Sequence, residues 1–123
     1  MWISKQTEMT QVSELCRMLA QDRPFIIEPD GSMKTFATCK DRKITLGEMQ
    51  HAVGGYIEIC RCPSVVKIDG ADVATSGWEV IIDEEGCLKD EREPNRLATS
   101  LCDVYLCGHM IMGKALVVPK RMI

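Results

Sequence analysis

The sequence predicts an α+β fold: a mainly antiparallel sheet with two or three short helices in a single domain. Three observations carry that reading. Short apolar runs rich in strand formers are punctuated by Pro, Gly and Asp turn signals. Helical stripes interrupt them without the regular strand-helix alternation of a parallel sheet. The length of 123 residues matches one hydrophobic core, and 46% apolar with 27% charged residues is enough to fill it and excludes a disordered chain.

In chain order, Met9, Val12, Leu15, Cys16 and Leu19 form an apolar stripe that predicts an amphipathic helix over 5–21, capped by Thr7 or Thr10. We divide the chain accordingly into an N-terminal helical extension, 1–22, and one α+β domain, 23–123. Phe25-Ile26-Ile27 and Met33-Lys34-Thr35-Phe36 flank Pro29-Asp30-Gly31, a hairpin pattern. Thr45-Leu46-Gly47-Glu48 is a capping box, so a helix starts there; Gly54-Gly55 ends it. Tyr56–Cys62 reads as a strand broken by Pro63, Val65–Ile68 as a further short strand, and Asp69–Gly77 as loop. Trp78–Ile82 is a strand, turning at Asp83-Glu84-Glu85-Gly86 and returning through Cys87-Leu88-Lys89. Pro94 suits the first turn of a helix running to about Asp103, and Met110–Val118, bent at Gly113, forms the last strand.

Fifteen Lys and Arg against 18 Asp and Glu give a net charge of −3, which argues against a DNA, RNA or anionic-membrane binder. No apolar run approaches the ~18 residues of a membrane span, and the first residues lack the apolar run of a signal peptide, so a cytosolic protein is expected. The odd count of seven cysteines then indicates free thiols that serve as small buried hydrophobes. Neither Cys60-x-Cys62 nor Cys102-x4-Cys107-x-His109 has zinc-ligand spacing, so no metal is expected.

His51 and His109 have no evident nucleophile to serve, and no nucleophile elbow, phosphate loop or dinucleotide fingerprint is present. A non-enzymatic chain without a cofactor is the expectation. The acids Asp83-Glu84-Glu85 and Asp90-Glu91-Glu93 suit a solvated turn and a charged helix start better than a cation site. Asn95, Arg96 and Thr99 sit at a predicted helix start, where free amides favour an anion. With Arg61 as a second phosphate ligand and Tyr56 or Trp78 for stacking, they make a recipe for a nucleotide pocket. The competing reading of the same residues is that Asn95 caps its helix, Arg96 is solvated, and Tyr56 and Trp78 are core.

The string Thr45-Leu46-Gly47-Glu48-Met49-Gln50, then Val53-Gly54-Gly55-Tyr56-Ile57-Glu58, followed by Asp83-Glu84-Glu85-Gly86, Asn95-x-x-Ala98-Thr99 and a Gly-initiated strand around Gly108–Val118, resembles a small domain of formerly unknown function widespread in phage and prophage genomes. With the Pro29-Asp30-Gly31 turn the resemblance covers residues 25–119. Asp83 departs from it, since asparagine is common there, and the N-terminal helix is an addition suited to oligomerisation. Phage proteins of this size and build include the Thoeris anti-defence sponges, small α+β oligomers that bind cyclic ADP-ribose signals, or cyclic oligonucleotides, between protomers without cleaving them. The resemblance therefore implies a homo-oligomeric sponge that sequesters a nucleotide immune signal in the cytoplasm of an infected or lysogenic cell. Two other readings stand beside it: a module that inhibits a host protein through the N-terminal helix and a Met-rich surface, and a hydrolase using Asp83, Glu84 and Glu85 with a divalent cation.

Overall fold

The computed structural model describes residues 2–37, 43–102 and 110–123. Its elements are α1 (Trp2–Ala20), β1 (Phe25–Ile27), β2 (Met33–Thr35), α2 (Leu46–Val53), β3 (Ile57–Arg61), β4 (Val65–Ile68), β5 (Ala71–Ala74), β6 (Trp78–Asp83), α3 (Arg96–Leu101) and β7 (Ala115–Pro119). Five strands form an antiparallel sheet in the order β2-β1-β7-β6-β3, and β4 pairs with β5 in a separate hairpin. The α+β class and antiparallel sheet read from the sequence are those of the structure.

Alternation along the strands sends side chains to two separate cores. Phe25, Ile27, Val80, Ala115 and Val117 face one side, where Leu15 and Met18 of α1, Leu97 and Leu101 of α3, and Val66, Ile68 and Val73 of the hairpin cover them. Ile26, Ile81, Leu116 and Val118 face the other, covered by Met49, Ala52 and Val53 of α2 with Ile44 and Met122. Helix α1 therefore contributes core side chains to the domain in addition to extending it. Asp22, at φ 56°, turns the chain after this helix.

Helix α1 already runs from Trp2, so Thr7 and Thr10 lie within it and neither caps its start as expected, whereas the capping signals of α2 hold. Thr45 accepts from the Glu48 amide while Glu48 receives the Thr45 amide, and Gly54, at φ 82°, caps the C-terminus of α2. Several expectations need correction. Residues 69–77 are not all loop: Asp69 and Gly70, at φ 51° and 82°, make the tight turn of the β4-β5 hairpin. Cys87-Leu88-Lys89 does not return as a strand, because β6 already pairs with β3 on one side and β7 on the other, leaving no edge to join; Gly86–Leu88 coils into a 3-10 turn instead. The last strand is also shorter, since Gly113 at φ 88° sends its amide to the Glu93 carbonyl and only Ala115–Pro119 enters the sheet. Pro94 precedes the Asn95 cap and bridges Met112 rather than opening α3. Cys39, Asp103, Cys107, Gly108 and His109 lie outside the described residues.

Candidate functional site

Asp83 ends β6 beside the C-cap of α2, and two cations bind both at once. Lys89 Nζ donates to Asp83 Oδ2 at 2.6 Å and to the Gly54 carbonyl at 3.3 Å. Arg92 Nη2 donates to the same two oxygens at 3.0 and 3.2 Å. The Glu85 amide donates to Asp83 Oδ1 at 3.0 Å, and the Glu84 amide donates to the Tyr56 carbonyl at 2.8 Å. Burial pushes the Asp83 carboxyl up and is the largest single influence on it. The Lys89 and Glu85 hydrogen bonds, the Lys89 charge and the Arg92 bond outweigh it, and the group ends below its ordinary value. The buried carboxylate therefore fastens α2, β3, β6 and the 86–95 loop to one another.

Both glycines of the Gly54-Gly55 pair are needed here, for different reasons. Gly54 takes a left-handed conformation, and Gly55 lets the chain pass over the carboxylate: a Cβ there would stand 2.7 Å from Asp83 Oδ1 and 2.9 Å from Oδ2. Gly55→Ala is thus expected to cost about 1–3 kcal/mol by overpacking. Gly47, in α2, provides the contrast, since a methyl group added there would meet nothing within 4 Å. Alanine at that position is expected to stabilise by roughly 0.5 kcal/mol. Thermal melts of the two variants should move in opposite directions; a rise for Gly55→Ala would contradict this packing.

Above this junction lies a recess of about 340 Å³ lined by Gln50, Gly55, Tyr56, Asp83, Glu85 and Lys89. The Tyr56 side of it is open, since that residue is 69% exposed. The lining offers a flat ring, an amide that donates and accepts, an acceptor carboxylate and an ammonium. A second hollow of about 430 Å³ lies along the Pro29-Asp30 turn among Glu28, Asp30, Ser32, Lys34 and Glu93. Its acids are partly engaged, Glu28 with Lys34 at 3.2 Å and Asp30 with Ser32, and their sign disfavours an anionic ligand.

The residues singled out in the sequence do not converge. Tyr56 lines the recess, while Arg61 is exposed at the opposite end of β3 and Arg96 is exposed at the start of α3. Trp78 is buried with its ring 5.8 Å from Phe25 in an edge-on contact, so it offers no face for stacking. Asn95 is fully buried: Oδ1 accepts from the Ala98 amide, and Nδ2 donates to the Ile27 and Gly113 carbonyls, both at 2.9 Å. The Thr99 hydroxyl donates to the Asn95 carbonyl and accepts from the Ile111 amide. For Asn95, Thr99 and Trp78 the ligand reading gives way to a structural one, because their polar atoms and faces are already occupied.

Lys89, Gln50 and Arg92 escaped the sequence reading. Asp90-Glu91-Arg92-Glu93 read as a charged helix start, but the segment precedes α3 and Arg92 is only 20% exposed at its side chain. A pair of cations six and nine residues beyond Asp83, joined to a Gly-Gly after a capped helix, was the available signal. Asp83 is held by Lys89 and Arg92, and among the described residues no group of three His, Cys, Asp or Glu is arranged to hold a metal ion. Of the described cysteines, Cys16 and Cys87 are exposed rather than buried, and Cys102 is buried. Burial and the nearby Glu79 push the Cys62 thiol up to about 12, whereas hydrogen bonding with Cys102 holds Cys60 below its ordinary value.

Neither a family model, nor a curated protein, nor a solved structure matches this chain. Among the described residues, no helix is long and apolar enough to cross a membrane.

Proposed function

We propose that the chain is a non-enzymatic binder that sequesters a nucleotide-derived signal of the cyclic ADP-ribose or cyclic oligonucleotide type, countering host defence in the cytoplasm of an infected or lysogenic cell. One observation supports it above the others: the recess beside Tyr56 combines an exposed ring with Gln50, Glu85 and Lys89. A base stacks on Tyr56, the Gln50 amide reads a base edge, and the Glu85 carboxylate accepts from a ribose hydroxyl. An ammonium has three donors; Lys89 directs two at Asp83 and Gly54, which leaves one for a ligand phosphate. The site thus moves from the start of α3 to the junction of α2 and β3, and the nucleotide class stays as the resemblance implied.

Titration calorimetry on Tyr56 and Arg96 variants tests this placement. Because stacking on one ring contributes about 1–3 kcal/mol, Tyr56→Ala is expected to weaken binding roughly tenfold or more. Its melting temperature should hold, given the exposure of the side chain. Arg96→Ala, which alters no residue of the lining, should bind as the parent does. The reverse pattern, with Arg96→Ala weakened and Tyr56→Ala intact, would return the site to α3.

A further inference from the structure

Strand β3 lies at the edge of the five-stranded sheet. Among the described residues β3 pairs only with β6, so its other edge presents unpaired backbone groups. The Glu84 amide bonds the Tyr56 carbonyl, which makes Tyr56 and Glu84 a hydrogen-bonded pair. By the alternation of an antiparallel ladder, Glu58 and Cys60 also turn their backbone groups toward β6, and Ile57, Ile59 and Arg61 turn theirs outward. Ile59, in the middle of that edge, is 46% exposed. No proline or lysine within β3 guards it.

Pairing two copies of β3 antiparallel about a two-fold axis, with each face of the sheet continued, allows only a few registers. Centring on Glu58 sets glutamate against glutamate, and centring on Arg61 sets arginine against arginine; both are unfavourable. Centring on Cys60 places Ile59 opposite Arg61 and leaves the outward groups of Ile57 without partners in the other strand. Centring on Ile59 matches every outward N–H and C=O of Ile57, Ile59 and Arg61 and buries Ile59 against its own copy.

We propose that the protein forms a two-fold dimer through β3 in this register, and that Arg61 of the partner subunit completes the recess. Within one chain Arg61 and Tyr56 stand at opposite ends of β3, some five residues or about 16 Å apart. In the dimer Arg61 of the partner subunit pairs with Ile57, the neighbour of Tyr56. It also lies on the correct side of the sheet. Arg61 shares a face with Ile57, whose side chain packs against the α2 core, and Gln50 of α2 lines the recess. The added guanidinium gives the recess a phosphate ligand that forks where Lys89 is a point charge. The dimer stands without the ligand reading; the role of Arg61 rests on it.

Sedimentation velocity and amide hydrogen exchange on the full chain test the dimer, and calorimetry with a panel of cyclic ADP-ribose isomers and cyclic oligonucleotides tests Arg61. The parent should sediment as a dimer with the Ile57, Ile59 and Arg61 amides protected. Ile59→Lys should give a folded monomer, checked by circular dichroism, in which those amides exchange at least tenfold faster while those of Glu58 and Cys60 stay slow. Arg61→Ala should remain a dimer and bind at least tenfold more weakly. A monomeric parent, or a dimer that survives Ile59→Lys, overturns the interface. A dimer that binds the panel equally well with and without Arg61 overturns the shared site alone, and a dimer that binds nothing in the panel overturns the ligand reading together with the Arg61 role and leaves the interface standing.

Discussion

Replacing Asp83 by alanine is expected to destabilise the protein by about 3 kcal/mol or more. The side chain is 2% exposed and receives Lys89, Arg92 and the Glu85 amide. Removing it leaves two cations against the Gly54 carbonyl with no counter-charge, and the loss of a buried partner costs more than the pair itself contributes. A melting temperature lower by on the order of 10 °C follows for a chain of this length. The effect also has a pH signature. The folded-state value of Asp83 lies below its ordinary one, so its contribution is full above the unfolded carboxylate value of about 3.9 and is lost as the pH falls through the depressed folded value. Denaturant melts should show a constant gap between parent and Asp83→Ala from neutrality to about pH 5, closing below pH 4. A gap that widens on acidification would contradict the ion pairing described for Asp83.

Asn95→Ala should be comparably severe. Alanine loses a helix cap, roughly 1 kcal/mol, and strands the Ile27 and Gly113 carbonyls in a fully buried place, about 1–3 kcal/mol each before relaxation. A loss of about 3 kcal/mol or more is expected. Asn95→Asp discriminates the mechanism: it keeps the acceptor for the Ala98 amide but turns a carboxylate toward two carbonyl oxygens, so it should rescue nothing at neutral pH. If Asn95→Asp were as stable as the parent, the two carbonyl bonds would carry no weight. Neither variant would be informative about ligand affinity, because Asn95 faces the protein interior on every polar atom.

What the sequence made legible was local. The capping box at Thr45 and Glu48, the left-handed Gly54 and the Pro29-Asp30-Gly31 turn depend on residues a few positions apart, and each appears where the pattern put it. Asp69-Gly70 carried an equally local hairpin signal that the polar composition around it masked. The rest depends on what comes from elsewhere in the chain. Whether Cys87–Lys89 is a strand is decided by β7 occupying the edge of β6. The cap formed by Asn95 lies within one helical turn, but its tie to Ile27 spans 68 residues and cannot be read from spacing. The same holds for Asp83: its neighbours suggest a solvated turn, and only the meeting of β6 with the end of α2 shows it buried and paired. Gly54, Gly55 and Asn95, which carry the resemblance, thus build the frame together with Asp83, which departs from it, while Tyr56 reaches solvent.

Native mass spectrometry of the intact protein with cyclic ADP-ribose isomers and cyclic di- and trinucleotides is the decisive experiment on nucleotide binding. Ligand should be bound in fixed ratio to the protein, released with unchanged mass on denaturation, and retained at least tenfold more weakly by Tyr56→Ala. A ligand returned with altered mass would contradict a non-enzymatic binder, and no bound mass across the panel would contradict the nucleotide reading and favour a module that inhibits a host protein.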